Sequence, residues 1–137
     1  MKIQNQFTYS KDMVCRTSAT DGRATLTIAP AMRPNASEAT WSPMDLLAVA
    51  HGTCMAMMMG KAAKAKDLDI DGMKVEISLE MADCMPPQIT AVNARFILPR
   101  KFSADQLAVL KAGAEMCPVH KALRPEIAVT LELIVPE

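Results

Sequence analysis

The stretch from Ser42 to about Lys66 predicts one long helix that is apolar on nearly every face. Ser42 is a natural N-cap, Pro43 suits the first helical position, and Asp45 completes a capping box of the S-x-x-D type. A helix that is apolar nearly all round must be covered nearly all round, and 137 residues offer little material for that. We therefore expect this helix to lie at the subunit interface of a homodimer. One apolar stripe on it, at helical spacing, contains Leu47, Ala50, Cys54 and Met57.

The rest of the chain predicts short strands and two shorter helices. β-favouring or alternating patterns predict strands over residues 3–9, 23–29, 73–81, 88–98 and 126–135. Asp21-Gly22 is a hairpin signal, and residues 30–41 are predicted as a loop. A capped helix is predicted over residues 103–116, and a short one between Pro118 and Pro125. This order predicts an α+β protein with mixed or antiparallel sheet pairing.

Composition and charge narrow the possible function classes. Lys+Arg and Asp+Glu are equal at 15 each, which gives no electrostatic case for nucleic acid or an anionic membrane. Aromatic residues make up 4% of the chain, too few for base-stacking platforms. The N-terminus lacks the apolar segment of a signal peptide, and the most apolar stretch, Leu46–Gly60, is too short to span a membrane. We therefore expect one cytoplasmic domain over residues 1–137, with no nucleic-acid or membrane partner.

Two of the four cysteines stand in settings that suit redox chemistry. Cys54 lies midway along the apolar helix, where a thiol is unreactive unless a cation or a hydrogen-bond donor reaches it. Cys117 directly precedes a proline at a helix start, where the helix dipole should lower the pKa of its thiol. Brought together, the two thiols would form a two-cysteine redox centre. His51, one turn before Cys54, or an arginine (Arg16 or Arg23) could supply the activating group.

The histidines and methionines leave two other interpretations open. His51-x-x-Cys54 and Cys117-x-x-His120 are similar to a Cys₂His₂ zinc ligand set, although structural zinc sites usually lie on loops or knuckles. The methionine cluster over residues 55–59 indicates adaptable core packing, or a soft pocket for an apolar ligand. The first interpretation predicts a metal centre, and the second a binding protein.

Three motifs, in this order, resemble the OsmC/Ohr superfamily of osmotically induced and organic hydroperoxide resistance proteins. They are Ser42-Pro43-Met44-Asp45-Leu46-Leu47, Gly52-Thr53-Cys54-Met55-Ala56 and Cys117-Pro118-Val119-His120-Lys121-Ala122-Leu123. The resemblance extends across nearly the whole chain. It implies an OsmC-like α+β fold in which mixed or antiparallel sheets wrap around long central helices in an intertwined homodimer. Two active sites at the dimer interface are implied as well.

The resemblance also implies thiol-dependent reduction of organic hydroperoxides, without a bound cofactor or metal, as part of an oxidative stress response. Cys54 matches the peroxidatic cysteine, whose thiolate attacks the peroxide and becomes a sulfenic acid. Cys117 matches the resolving cysteine, which condenses with that acid to form a disulfide. An external dithiol would then restore both thiols by exchange.

Some positions depart from the family pattern. The family's best-studied peroxidases have a glutamate directly after the helix-start proline, where this chain has Met44, and Asp45 is the candidate replacement. Their activating arginine lies in the N-terminal strands, which implies Arg16, with Arg23 as its competitor. This pattern is similar to a less characterised OsmC-like branch. The alternative function is therefore a non-catalytic protein that binds an apolar small molecule in the same interface pocket. Residues expected to line the pocket are His51, Met44, Met58 and His120.

Overall fold

The computed structural model describes residues 1–10, 13–19, 22, 24–30 and 40–137. The chain divides into two compact units, Met1–Leu47 and Ala48–Glu137. The first turn of the long helix α1 (Pro43–Ala65) belongs to the first unit, and the rest of the helix belongs to the second. The prediction of a single domain over residues 1–137 stays a prediction.

The first unit contains a three-stranded antiparallel sheet in the order β1-β2-β3. Its strands are Phe7–Ser10, Val14–Ser18 and Thr25–Ile28. The second strand was not predicted, because polar residues at three of its five positions hide its β-pattern. Asp21 and Arg23 lie outside the described residues, as does most of the predicted loop, residues 31–39.

The long helix begins at a closed capping box, as its sequence predicts. The Asp45 N–H donates to Ser42 Oγ at 3.1 Å, and the Ser42 N–H donates to Asp45 Oδ2 at 3.0 Å. The Ser42 hydroxyl donates to the same oxygen at 2.7 Å. These hydrogen bonds from Ser42 hold the pKa of Asp45 below its ordinary value, because they favour the ionised carboxylate. Starting the helix is therefore the observed function of Asp45, and the helix ends at Ala65, close to the predicted Lys66.

The second unit contains a mixed sheet in the order β4-β5-β6. Its strands are Lys74–Ala82, Gln88–Ile97 and Ala128–Ile134. The first two are antiparallel and the last two are parallel, so the predicted mixed pairing is confirmed. Parallel neighbours need a long crossover connection, which here contains α2 (Ala104–Glu115) and α3 (Pro118–Ala122). The predicted capped helix and short helix are therefore both present.

The core of the second unit draws on α1, α2 and the sheet. Its fully buried members are Met55, Met59, Ala63, Ala94, Phe96, Leu98, Leu110, Ala114 and Cys117. Gly113 lets α2 approach α1 closely, because a Cβ at that position would lie 2.6 Å from the Cβ of Ala62. Gly52 faces β4 in a similar way, where a Cβ would lie 3.3 Å from Cδ1 of Ile77. These glycines set how closely α1 packs on α2 and on the sheet.

The buried face of α1 is not the stripe that contains Cys54 and Met57. Within that stripe Met57 is 73% exposed and Cys54 is half-buried. A helix with apolar residues on every side carries no periodic signal for its core-facing side. Small residues that permit close contact, such as Gly52, mark that side instead. The buried positions are Ala48, His51, Gly52, Met55, Met59 and Ala63.

Of the helices in the described residues, α1 is the one whose length and composition would allow it to cross a membrane. It has 23 residues, so the expectation that this region is too short to span is wrong. Met55 and Met59 are nevertheless fully buried against the sheet and α2. That packing is typical of the central helix of a folded α+β domain, which passes the same test of length and composition.

Candidate redox site

Cys117 lies immediately before α3 and caps it. Its backbone is extended, with φ −60° and ψ 120°, and Pro118 follows in the first turn of the helix. The His120 N–H donates to Cys117 Sγ at 3.4 Å, which satisfies a backbone donor that has no partner within the helix. The side chain is completely buried. The sulfur therefore has a fixed position in the core of the second unit.

Burial raises the pKa of Cys117 above its ordinary value, and the neighbouring Cys54 thiol raises it further. The N–H groups of His120 and Val119 act in the opposite direction without outweighing burial. The expectation that the helix start lowers this pKa is therefore wrong. Because α3 has five residues, its dipole is weak compared with the cost of removing a thiolate from water. Cys117 is consequently a neutral thiol at neutral pH.

Cys54 lies on α1 and packs against the core cluster that contains Cys117. The two side chains are neighbours, since a hydrogen bond and a charge interaction with Cys54 are among the causes that raise the pKa of Cys117. Both residues are free thiols, and Cys54 is half-buried whereas Cys117 is inaccessible. The structure thus brings together the two thiols that the sequence paired. A solvent-borne oxidant meets Cys54 first.

His51 lies on the buried face of α1, one turn before Cys54, and is 1% exposed. Neither its Nδ1 nor its Nε2 has a hydrogen-bond partner among the described residues. Its ring contacts that of His120 edge-on, with centroids 5.6 Å apart and planes at 63°. Burial lowers the pKa of His51, and the charge of His120 lowers it further. His51 is therefore a neutral imidazole at neutral pH.

The contact between the two histidine rings was not predicted from the sequence. Each histidine stands three residues from a cysteine, His51 before Cys54 and His120 after Cys117. On a helix this spacing places both members on one face, so pairing the cysteines also pairs the histidines. The spacing predicts a possible metal ligand set, and it is equally consistent with a contact between imidazoles.

The zinc interpretation is not supported by the geometry. In residues 40–137 and the described N-terminal segments, no three His, Cys, Asp or Glu side chains converge as a metal would require. The Cys117 sulfur instead accepts the His120 N–H, and His51 meets His120 ring to ring. The arrangement is a pair of thiols beside a pair of imidazoles.

The other predicted site residues have local roles in the structure. Arg16 is exposed on β2, and its Nη1 donates to Ser10 Oγ at 3.5 Å. Met44 is 41% exposed in the first turn of α1, next to the capping residue Asp45. These residues belong to the unit Met1–Leu47, and their part in the thiol site stays a prediction. Met58 is half-buried on α1, where its carbonyl oxygen faces α2.

The two neighbouring thiols can lose two electrons together and close a disulfide, which is the chemistry the site offers without any bound group. A mixed β-sheet, a long central helix and a pair of neighbouring free thiols beside that helix define a small α+β protein. The chain belongs to the OsmC-like protein family, whose model matches residues 36–132. That family includes proteins named for resistance to organic hydroperoxides.

Solved structures show the same fold. A candidate osmotic stress induced and detoxification response protein from Psychrobacter arcticus is 24% identical with a TM-score of 0.84, over 97% of this chain and 96% of that one. OhrB of Bacillus subtilis, an organic hydroperoxide resistance protein, is 21% identical with a TM-score of 0.70, over 96% and 98%. An organic hydroperoxide resistance protein, OsmC, from Legionella pneumophila is 16% identical with a TM-score of 0.73, over 97% and 98%. No curated protein matches the chain. At these identities the likeness concerns the fold.

Proposed function

We propose that this protein is a thiol peroxidase that reduces organic hydroperoxides with Cys54 and Cys117. The observation that carries the proposal is a half-buried thiol beside a fully buried one. The half-buried thiol can meet a substrate from solvent, and the buried one can react only with its neighbour. Similarity to proteins named for organic hydroperoxide resistance supports the substrate class.

The cycle has three balanced steps. The Cys54 thiolate attacks the terminal peroxide oxygen, the O–O bond breaks, and the alkoxide takes a proton and leaves as an alcohol. Cys54 is now a sulfenic acid. The Cys117 sulfur attacks the Cys54 sulfur, a disulfide forms, and the hydroxyl leaves with a proton as water. A cytoplasmic dithiol then reduces the disulfide to two thiols and becomes a disulfide itself.

Surrounding residues suit an apolar substrate. Met57 is exposed and Met58 half-buried on α1 after Cys54, and thioether side chains adapt to irregular alkyl groups. Alkyl and lipid hydroperoxides are therefore preferred over hydrogen peroxide. Arg16 is the proposed activating cation for the Cys54 thiolate, with Asp45 to orient it, in an active site shared by two protomers of a homodimer.

The proposal is tested with reduced protein, cumene hydroperoxide and dithiothreitol. The wild type should consume peroxide in many turnovers and Cys54→Ser should consume none, because the neighbouring thiol, Cys117, is inaccessible from solvent. When dithiothreitol is left out, Cys117→Ser should consume one equivalent of peroxide and form a sulfenic acid that dimedone traps. Arg16→Gln should slow that first step by about tenfold or more, because the Cys54 thiolate would lose a stabilising positive charge.

The matched control is Cys84→Ser. Cys84 is exposed in the turn after β4, where its sulfur lies 3.3 Å from the carbonyl oxygen of Pro86. It is not part of the thiol pair, so peroxide consumption should equal that of the wild type. Consumption by Cys54→Ser at the wild-type rate, or none by the wild type, would contradict the proposal.

A second candidate function is favoured by the exposed apolar side of α1. Val49 is 39% and Met57 73% exposed, and a pocket formed there in a dimer could hold an apolar molecule without any reaction. This candidate predicts that a bound alkane or fatty acid raises the melting temperature equally in the wild type and in Cys54→Ser. A ligand effect that disappears with Cys54 would contradict it.

A further inference from the structure

The buried imidazole of His51 has no task in the chemistry described so far. It is 1% exposed, and both ring nitrogens lack a partner among the described residues. Leaving a buried polar group without a hydrogen bond is costly, so a folded protein rarely keeps one without a use. An apolar residue of similar size would fill the same place in α1 without that cost.

The position of His51 connects it to the thiol pair by two routes. Along α1 it stands one turn before Cys54. Across the core its ring touches the ring of His120, and the backbone N–H of His120 donates to the Cys117 sulfur. His120 is half-buried, whereas His51 and Cys117 are inaccessible. His120 therefore lies between the solvent-facing surface of α3 and the buried His51.

The second step of the proposed cycle needs a proton acceptor at this place. Burial keeps Cys117 as a neutral thiol, and a neutral thiol is a poor nucleophile. Its proton must leave as the sulfur attacks, and the departing hydroxyl must gain one. His51 is neutral because burial and His120 lower its pKa, so it has a free acceptor nitrogen.

We infer that His51, positioned by His120, relays a proton during closure of the Cys54–Cys117 disulfide. His51 takes the proton of the Cys117 thiol as the S–S bond forms and the S–OH bond of Cys54 breaks. The departing hydroxide receives that proton from His51 and leaves as water, so protons and electrons balance. His120 packs its ring against His51 and holds it in position. This inference rests on the proposed redox pairing of Cys54 and Cys117.

Few of the groups that surround His51 can affect its protonation. In the described part of the chain, His120 on α3 is the one charge that shifts the pKa of His51. The thiol of Cys54 follows on α1, Cys117 caps α3, and β4 presents the apolar Ile77 beside Gly52. Closure should therefore require neutral His51 and lose rate as pH falls through its lowered pKa.

The test follows disulfide closure in single turnover from pH 5 to 9, with one equivalent of cumene hydroperoxide or of diamide. Diamide accepts the two electrons and two protons of the thiol pair, so it closes the same bond without a peroxide. The rate of disulfide closure in the wild type should increase with pH at the acidic end of this range and then become constant. His51→Asn should close about 100-fold more slowly at pH 7, the lower range for a lost acid–base group. The closure rate of His51→Asn should increase about tenfold per pH unit, since the Cys117 thiolate must form without a general base.

Two further variants keep the test decisive. His120→Asn retains the backbone N–H on Cys117 and should slow closure with either oxidant, which also serves if His51→Asn fails to fold. Met59→Leu changes a buried α1 residue of similar size and should leave the pH profile unchanged. An unaltered profile shape in both histidine variants would overturn the relay.

The oxidants separate the relay from the peroxidase proposal. If the wild type ignores cumene hydroperoxide yet closes with diamide in a His51-dependent way, the peroxidase function is wrong and the relay stands. If both oxidants close the disulfide and the pH–rate profile of His51→Asn equals that of the wild type, the peroxidase function stands and the relay is wrong. Closure with neither oxidant would overturn both.

Discussion

Cys54 and Cys117 show how one residue type acquires two roles from its surroundings. Cys54 keeps contact with solvent on a helix, and Cys117 is enclosed in the core with the His120 N–H on its sulfur. Burial dominates the acid–base behaviour of Cys117 even though it caps a helix. At this scale, burial decides which thiol an oxidant can reach and which thiol can react only with the neighbouring sulfur.

The raised pKa of Cys117 predicts a pH effect on both ionisation and stability. Thiolate absorbance at 240 nm, taken as the difference between the wild type and Cys117→Ser, should appear at higher pH in native protein than in urea. The folded chain binds the Cys117 proton more tightly than the unfolded chain does. The contribution of this proton to the free energy of unfolding is therefore complete below the unfolded pKa and decreases as the pH rises above it. The fall should approach about 1.4 kcal/mol per pH unit until the folded pKa is reached.

The comparison in this experiment is between two variants. Cys117→Ser should lose this alkaline component of the unfolding free energy in urea titrations, whereas Cys84→Ser should retain it. A native thiolate difference that appears at lower pH than the unfolded one would show that the helix start outweighs burial.

At the scale of helices and strands, glycines decide how α1 packs. A Cβ at Gly113 would lie 2.6 Å from Ala62 Cβ and 3.1 Å from the Met58 carbonyl oxygen. Helix backbones meet at this point, so neither neighbour can rotate away. The thiol site depends on this contact, because α2 leads directly into Cys117 and α1 carries Cys54.

Gly113→Ala should therefore destabilise the protein by about 1–3 kcal/mol through overpacking, measured by urea unfolding. The matched control is Gly60→Ala on α1, where a Cβ meets nothing within 4 Å. That change should stabilise the protein by about 0.5–1 kcal/mol, because alanine has the higher helix propensity. Equal effects of the two substitutions would contradict the close approach of α1 and α2.

Elements with local chemical signals were predictable from the sequence, and those decided by contacts were not. Ser42 and Asp45 located the start of α1 because a capping box is complete within four residues. Alternation of apolar and polar residues located β4 and β5, because that pattern is also contained within a short stretch of sequence. The core-facing side of α1 depends on Gly52 and Gly113 meeting distant residues, which no local pattern encodes.

The candidate site divides in the same way. The two cysteine motifs predicted that Cys54 and Cys117 belong together, and a thiol pair is what the core contains. The direction of the pKa shift at Cys117 was predicted wrongly, because the helix start is local information and burial is not. The contact of His51 with His120 was likewise invisible, since it arises only when α3 packs beside α1.

At the scale of the whole molecule, the exposed apolar side of α1 indicates an interface with another chain. Val49 and Met57 are both exposed in the single chain, and the buried residues occupy the opposite side of the helix. Apolar surface of this kind on a central helix is typical of an interface with a second copy. We therefore expect a homodimer in solution, of about twice the chain mass of 14.9 kDa.

Met57→Lys should break this dimer, because the interface would enclose an unpaired charge, which costs several kcal/mol. Light scattering after size exclusion should show a dimer for the wild type and a monomer for the variant at micromolar concentration. Ser78→Lys, an exposed change on the wet face of β4, should remain dimeric. If the active site is shared between protomers, Met57→Lys should also lose peroxide consumption while Cys54 stays reactive toward small thiol reagents. A wild-type protein that stays monomeric at high concentration would remove both the dimer and the shared site.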